Sequence, residues 1–287
     1  MPFRPTTARA DRRYAIDGFE LTGTPDTARH LLADVWRART LLVTLARQDF
    51  FVRFRRTSFG VLWAVGLPLI QAVVLAIVFT RVVRIQTGGN YGIYVFAGML
   101  PWTFLSGTVM NGSTSIVDGA GMATKIYFPR AVLPLVVLGS NLYGLLPGIV
   151  ILLLGSATIG EGLQADVVLL IPAVALMVLF VASLTLLLAG LHVYFRDLRF
   201  IVQAGTLVWF YATPVIYPLD LAGGTLRTIL LINPATGIVT MFRAAVSNTG
   251  TSGLAPAVIA AVVWTVVLAT AALVLHSRRD RVFVDLL

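Results

Sequence analysis

The sequence predicts an all-α membrane protein with six transmembrane helices and both termini in the cytoplasm. Its 287 residues are 57% apolar and 12% charged, at a mean hydropathy of +0.87, whereas soluble chains run nearer about 45–50% apolar and about 25% charged. Six long apolar runs divide the chain, and a helix that crosses a bilayer needs roughly 20 such residues. Six spans leave little chain for a catalytic domain in water. High hydropathy excludes a disordered chain, and the absence of cysteine excludes a small disulfide scaffold.

The first element is a tail, residues 1–30, with Arg4, Arg9, Arg12, Arg13 and Arg29 and no apolar core of the kind a secretory signal needs. The amino terminus is therefore expected in the cytoplasm. Residues 31–56 form an amphipathic helix. At 100° per residue Leu31, Leu32, Val35, Trp36, Leu42, Val43, Ala46 and Phe50 share one arc, with Arg37, Thr40, Thr44, Arg47 and Gln48 opposite and Arg39 and Asp49 interrupting the apolar side. Its arginines and tryptophan suit a helix lying in the inner interface. A helix packed on the cytoplasmic ends of the spans fits the pattern equally well.

The transmembrane domain, residues 57–277, holds spans at 61–83, 92–112, 131–158, 167–191, 200–217 and 254–276. The first is long enough to cross with some tilt, about 35 Å as a helix. Asn111 and several glycines dilute the second, and the fifth is short. Pro68, Pro101, Pro134, Pro147 and Pro172, with Gly144 and Gly148, suggest either kinked helices around a wide path or ordinary membrane composition. Residues 219–248 are too apolar for a free loop and too broken for a span. Asn233 before Pro234 looks like an N-cap with proline at the first helical position, dividing the segment into two short helices of about ten residues. That pair is a candidate gate at the outer mouth. Residues 278–287 form a cytoplasmic tail.

Charge orients the bundle. The net charge is +9 from 22 basic and 13 acidic residues, and Lys and Arg are retained on the cytoplasmic side. Eleven basic residues precede Gly60; Lys125, Arg130, Arg196, Arg199, Arg278, Arg279 and Arg281 bring the cytoplasmic total to 18, against Arg81, Arg84, Arg227 and Arg243 outside. Orientation thus accounts for the basic balance without nucleic acid.

Several chemistries are excluded. His30, His192 and His276 are scattered, and no cluster has metal-ligand spacing. The only lysine, Lys125, lies in GMATKIYF rather than in a phosphate-binding loop, so the chain does not hydrolyse ATP alone. Deep in the spans the polar side chains include Gln71, Asn111, Asn141 and hydroxyls, whereas ion-coupled carriers keep titratable groups there. A passive channel or a machine powered from outside the chain remains.

Other residues are suggestive. Trp102, Phe104, Tyr143, Trp209, Phe210 and Tyr211 sit deep in spans, where aromatic faces with Ser, Thr and Asn would suit sugar rings; helix packing or lipid contact is the plainer reading. The cytoplasmic segment 113–130 is unusually apolar, with Ile116, Val117, Met122, Ile126, Tyr127 and Phe128, as a segment docking into a partner's cleft would be. YFRDLRF at 194–200 offers a smaller contact.

The ordered series RQDFFVRFRRTSFGVLWAVGLPL (47–69), AGMLPWTFLSG (97–107), SIVDGAGMATKIYFPRAVLPL (115–135), HVYFRDLRFI (192–201), TPVIYP (213–218) and NPATGIVTMFR (233–243) resembles the permease subunit of ABC exporters for lipid-linked polysaccharides, the family of O-antigen, capsule and teichoic-acid exporters. The resemblance spans roughly residues 35–280. It implies a bacterial inner-membrane homodimer with a channel at its interface and two cytoplasmic nucleotide-binding subunits that hold ATP and Mg. No cofactor is implied in this chain. Asp118, Gly119, Lys125, Tyr127, Phe128 and Arg130 would couple to the ATPase, and the aromatic residues above would line the glycan channel. Arg53, Arg55 and Arg56 would meet a polyprenyl pyrophosphate head group, or simply anchor the chain. Tyr217, Asn233, Pro234, Phe242 and Arg243 would belong to the outer gate. The arginine-rich composition suggests an actinobacterial exporter of lipid-linked galactan. The alternatives are an ATP-independent lipid scramblase or channel, and a membrane glycosyl- or acyltransferase, for which paired acids or a His/Asp base are missing.

Overall fold

A computed structural model of the chain describes residues 15–16, 19–20, 28–84, 89–123, 128–160, 162, 165–247 and 253–286. A two-residue antiparallel pair, β1 (Ala15–Ile16) and β2 (Phe19–Glu20), precedes eleven helices. These are α1 (Ala28–Arg37), α2 (Arg39–Arg53), α3 (Trp63–Val78), α4 (Tyr91–Asp118), α5 (Ala120–Ala123), α6 (Val132–Ile159), α7 (Leu170–Tyr194), α8 (Leu198–Tyr211), α9 (Gly224–Ile232), α10 (Pro234–Val246) and α11 (Leu254–Leu286).

Among the described residues five helical stretches are long and apolar enough to cross a membrane: Gly60–Val82, Tyr91–Asp118, Val132–Ile159, Ala165–Tyr194 and Leu254–Ser277. They correspond to the first, second, third, fourth and sixth apolar runs, and they make this a multi-pass membrane protein. The fifth run behaves differently. α8 has 14 residues, about 21 Å, which is shorter than the roughly 30 Å of a bilayer core. It stops because Pro214 brings no amide donor and turns the residue before it away from helix. Beyond the turn, α9 and α10 meet at 87° and form a sixth apolar unit. The two short helices expected around Asn233 are thus present.

α4 is the hub. Within its apolar stretch 78% of residues are buried in this one chain, against 17% for the first and last spans. Its neighbours are α3, α6, α7, α8 and α10, and the core joins Val95, Phe96 and Leu105 of α4 to Leu152 of α6, Met177 and Phe180 of α7, and Ile238 and Phe242 of α10. The sequence predicts an end near residue 112, but the helix runs to Asp118. Ser113, Thr114 and Ser115 fold their hydroxyls back onto the carbonyls of Met110, Asn111 and Gly112, so polar residues extend the helix without a new partner. Gly119 then closes it, its amide donating to the Ser115 carbonyl at 2.9 Å.

The amphipathic segment is two helices with a break at Ala38. α1 lies against α11, and α2 runs along α6. Ala46 and Phe50 are 2% and 3% exposed. A Cβ at Gly139 would sit 3.0 Å from that of Ala46, and one at Gly144 would sit 3.8 Å from the Phe50 ring and 3.4 Å from Ala64 of α3. Because α3 begins beside Gly144, about 18 Å of α6 projects past its start, and α2 covers that projection. Trp36 and Val43 of the apolar arc are 69% and 56% exposed, as the side of an interfacial helix that faces lipid would be.

Candidate functional site

α4 leaves one stripe uncovered. Thr103, Ser106, Gly107, Met110, Asn111, Thr114 and Asp118 are exposed or half-exposed, at spacings of three and four that place them on one helical face. The stripe is polar but almost uncharged. Thr103 donates to the Met99 carbonyl at 2.8 Å and Asn111 to that of Gly107 at 2.9 Å, so the threonine hydroxyl hydrogen and one of the two asparagine amide hydrogens bond within the helix.

The six aromatic residues expected in the channel divide into separate places. Trp102 and Phe104 are 6% and 4% exposed, held in the core rather than on the stripe. Trp102 meets Trp209 edge-on at 5.9 Å and Phe210 at 5.4 Å; Phe180 adds to Trp209 at 6.2 Å, and Phe210 leads to Tyr211 at 5.2 Å. Tyr211 is 62% exposed. Tyr143 stacks on Phe50 at 5.6 Å, where α2 crosses α6.

That crossing carries a polar chain between three helices. Asp49 accepts from Arg53 at 3.0 Å, Arg53 donates to the Asn141 carbonyl oxygen at 2.9 Å, and the Asn141 amide donates to Thr108 at 2.9 Å. Of the three arginines expected at a head group, Arg53 is therefore occupied by protein partners. Arg55 and Arg56 are exposed in the turn that follows, with Arg56 at φ 68° and Gly60 at φ 53° bending the chain into α3.

Of the six residues expected to couple to an ATPase, Lys125 and Tyr127 lie outside the described residues. Asp118 is exposed. Phe128 and Arg130 are 6% and 5% exposed, with the guanidinium 5.9 Å from the Phe128 ring. Phe128 packs with Ala38, Val132, Leu133 and Val136, so it anchors the segment's end to the rest of the chain.

The residues expected in an outer gate are assembled by short-range and long-range contacts together. Asn233 caps α10, accepting from the Ala235 amide at 3.1 Å and from the Trp209 indole at 2.9 Å, and its amide donates to Ala212 and Thr213, each at 2.9 Å. Pro234 opens the helix, and Phe242 is fully buried. Tyr217 donates to the Tyr211 carbonyl at 3.0 Å. Arg243, counted from sequence among the outer basic residues, is 2% exposed. Its Nε and Nη1 donate to the carbonyls of Tyr94 at 3.3 Å and Pro214 at 2.6 Å, and Nη2 donates to Val215. The count of 18 inner against four outer basic groups thus includes one that faces protein, not water; burial by α4 and the 213–217 turn removes it.

Two tyrosines were not expected here. Tyr91 donates to the Ile216 carbonyl, and Tyr94 donates to that of Tyr217 at 3.2 Å. The Tyr-x-x-Tyr spacing at the start of α4, on one helical face, is the signal that could have drawn attention to them.

A profile of the ABC-2 type transporter family matches residues 40–246. The chain is 32% identical over 252 residues to the O-antigen export system permease protein RfbA of Myxococcus xanthus, covering 87% of this chain and 96% of the relative. Two permeases named RfbA from Klebsiella pneumoniae are 30% and 29% identical, each over 71% of this chain and 78% of the relative. With a hub helix, a bent helix pair and a family match over most of its spans, the chain belongs to the ABC-2 type transporter family.

Proposed function

We propose that this polysaccharide ABC exporter permease carries a glycan still attached to a polyprenyl pyrophosphate, from the cytoplasmic to the outer side of the inner membrane. The observation that carries the reading is the α4 stripe. Thr103, Ser106, Asn111 and Thr114 offer hydroxyls and an amide, and the exposed ring of Tyr211 extends from the neighbouring aromatic cluster. Such a surface suits sugar hydroxyls and ring faces, and a charged permeant would find no counter-ion on it above Asp118.

Two copies of the chain would place two such stripes around one path, with the termini in the cytoplasm. Two nucleotide-binding subunits would bind ATP with Mg and close on each other, pressing on residues 118–130, whose end Phe128 fastens to α2 and α6. Arg55 and Arg56, exposed at the start of α3, would hold the pyrophosphate while the glycan threads the path. The bent pair α9–α10 would gate the far end. The relatives' names specify O-antigen export, and a lipid-linked galactan is the cargo to test first.

The test is reconstitution with and without a co-expressed ATPase. ATP-dependent movement of a lipid-linked glycan is expected only with both subunits, and Ser106→Leu with Asn111→Leu should lower it several-fold without loss of assembly. Export or ATP turnover by this chain alone would end the proposal.

A further inference from the structure

We propose that Arg243 is a reversible latch that holds the outer mouth shut, a role that rests on reading α9–α10 as the outer gate. Its surroundings are unusual for a buried cation. Among the described residues the ion pairs are Arg37–Asp34, Arg53–Asp49 and Arg227–Asp220. The Arg243 guanidinium instead takes backbone carbonyls from two other elements, and lies 3.7 Å from the centre of the Tyr94 ring.

The carbonyls it takes belong to a row. Pro214 and Val215 accept from Arg243, Ile216 from Tyr91 and Tyr217 from Tyr94. Four consecutive carbonyls of one turn are thereby satisfied by three side chains, two from α4 and one from α10. The turn needs this because no helix or sheet supplies donors there, and bare carbonyls are costly in a low-dielectric setting. Arginine suits the task through its planar fork, which reaches two neighbouring carbonyls at once; a lysine ammonium would not.

The site is also shaped for it. A Cβ at Gly98 would lie 2.8 Å from Arg243 Nη2 and 2.7 Å from the Val215 carbonyl oxygen, so only glycine lets the guanidinium and the turn meet against α4. Neutral acceptors make the grip reversible. A carbonyl can be exchanged for water once the mouth hydrates, whereas a buried carboxylate partner would hold the cation in place. In the closed mouth α10, the turn and the outer end of α4 are tied together; in the open one the carbonyls and the guanidinium face water.

The test uses the full chain in vesicles of phosphatidylethanolamine and phosphatidylglycerol, loaded with carboxyfluorescein. Arg243→Met and Arg243→Lys should each raise dye efflux by at least about tenfold, the population change that losing one charge-assisted hydrogen bond can produce. Gly98→Ala keeps the charge but wedges the turn away, and should leak similarly. A correctly assembled Arg243→Met variant as tight as wild type overturns the latch, as does a tight Arg243→Lys variant. Should Arg243→Met fail to assemble, Gly98→Ala decides: leak supports the latch and a tight seal overturns it. A second arm separates this idea from the gate reading. Since the chain has no cysteine, Ser156→Cys with Val246→Cys, a pair outside the latch where α6 meets the end of α10, can be joined by a cleavable thiol cross-linker in the complex with its co-expressed ATPase. Export should stop on linking and return on cleavage; undiminished export by the linked complex would sink the gate reading itself.

Discussion

Replacing Asn233 by alanine should destabilise the protein through one residue that joins three elements. The side chain takes part in four hydrogen bonds: with the Trp209 indole, the Ala235 amide, the Ala212 carbonyl and the Thr213 hydroxyl. Loss of an N-cap costs about 1 kcal/mol. Each further hydrogen bond contributes a net of about 0.5–1.5 kcal/mol, more where a donor is left without an acceptor. The expected loss is therefore about 2–4 kcal/mol. Unfolding of the purified protein by SDS titration in mixed micelles would measure it. A double-mutant cycle with Trp209→Phe isolates the indole contact, and a coupling of about 1 kcal/mol is expected. Asn233→Asp keeps the acceptor oxygen and loses the two donors, so it should fall between wild type and alanine. A stability of Asn233→Ala within about 0.5 kcal/mol of wild type, or a cycle with no coupling, would refute the assignment of this residue as the pin between α8 and α10.

Gly237→Ala should cost about 1–3 kcal/mol, because its Cβ would collide with the Ala257 carbonyl of α11; unchanged thermal stability would show that α10 and α11 are not in close contact. Trp102→Ala should cost about 3–5 kcal/mol and appear as poor assembly, whereas Ser106→Ala on the exposed stripe should leave stability within about 0.5 kcal/mol. A Trp102→Ala protein that assembles normally yet loses transport would put the ring on the path. A double-mutant cycle of Arg53→Met with Asn141→Leu should give about 0.5–1 kcal/mol, since the arginine is 38% exposed; zero coupling would remove the tie between α2 and α6.

Much of the fold was legible from local pattern. Apolar runs locate α3, α4, α6, α7 and α11, because crossing a membrane is a requirement on composition and length alone. Asn233 and Pro234 announce the bend, because a cap is decided by two adjacent residues. The stop of α8 at Tyr211 was less visible: Thr213 and Pro214 carry it, but an apolar run continuing to Tyr217 masks the break. For the amphipathic segment the 100° pattern identifies the helix. It does not say that Leu42, Ala46 and Phe50 face α6 while Trp36 and Val43 stay exposed.

Which face of each span is buried was not legible. Trp102 and Thr103 are neighbours in sequence, yet one is in the core and the other on the uncovered stripe of α4. A span that is apolar on every side has almost no moment to orient it, so its buried face depends on which helices surround it. Arg243 shows the same limit for charge. Counted by position, it is one more basic residue outside; in the fold it is enclosed by Tyr94 and the carbonyls of a turn about 28 residues earlier in the chain.

By itself, then, the sequence determined that the chain lies in a membrane, where five of its long apolar helices run, and where the α9–α10 pair bends. Those properties depend on composition, length and adjacent residues. Tertiary structure decided that α4 is the hub, that its free face is polar, that Arg53 is bound by Asp49 and Asn141, and that a buried arginine holds the 214–217 turn. Each of these depends on residues far apart in the chain meeting across packed helices, and hydropathy is blind to which faces meet.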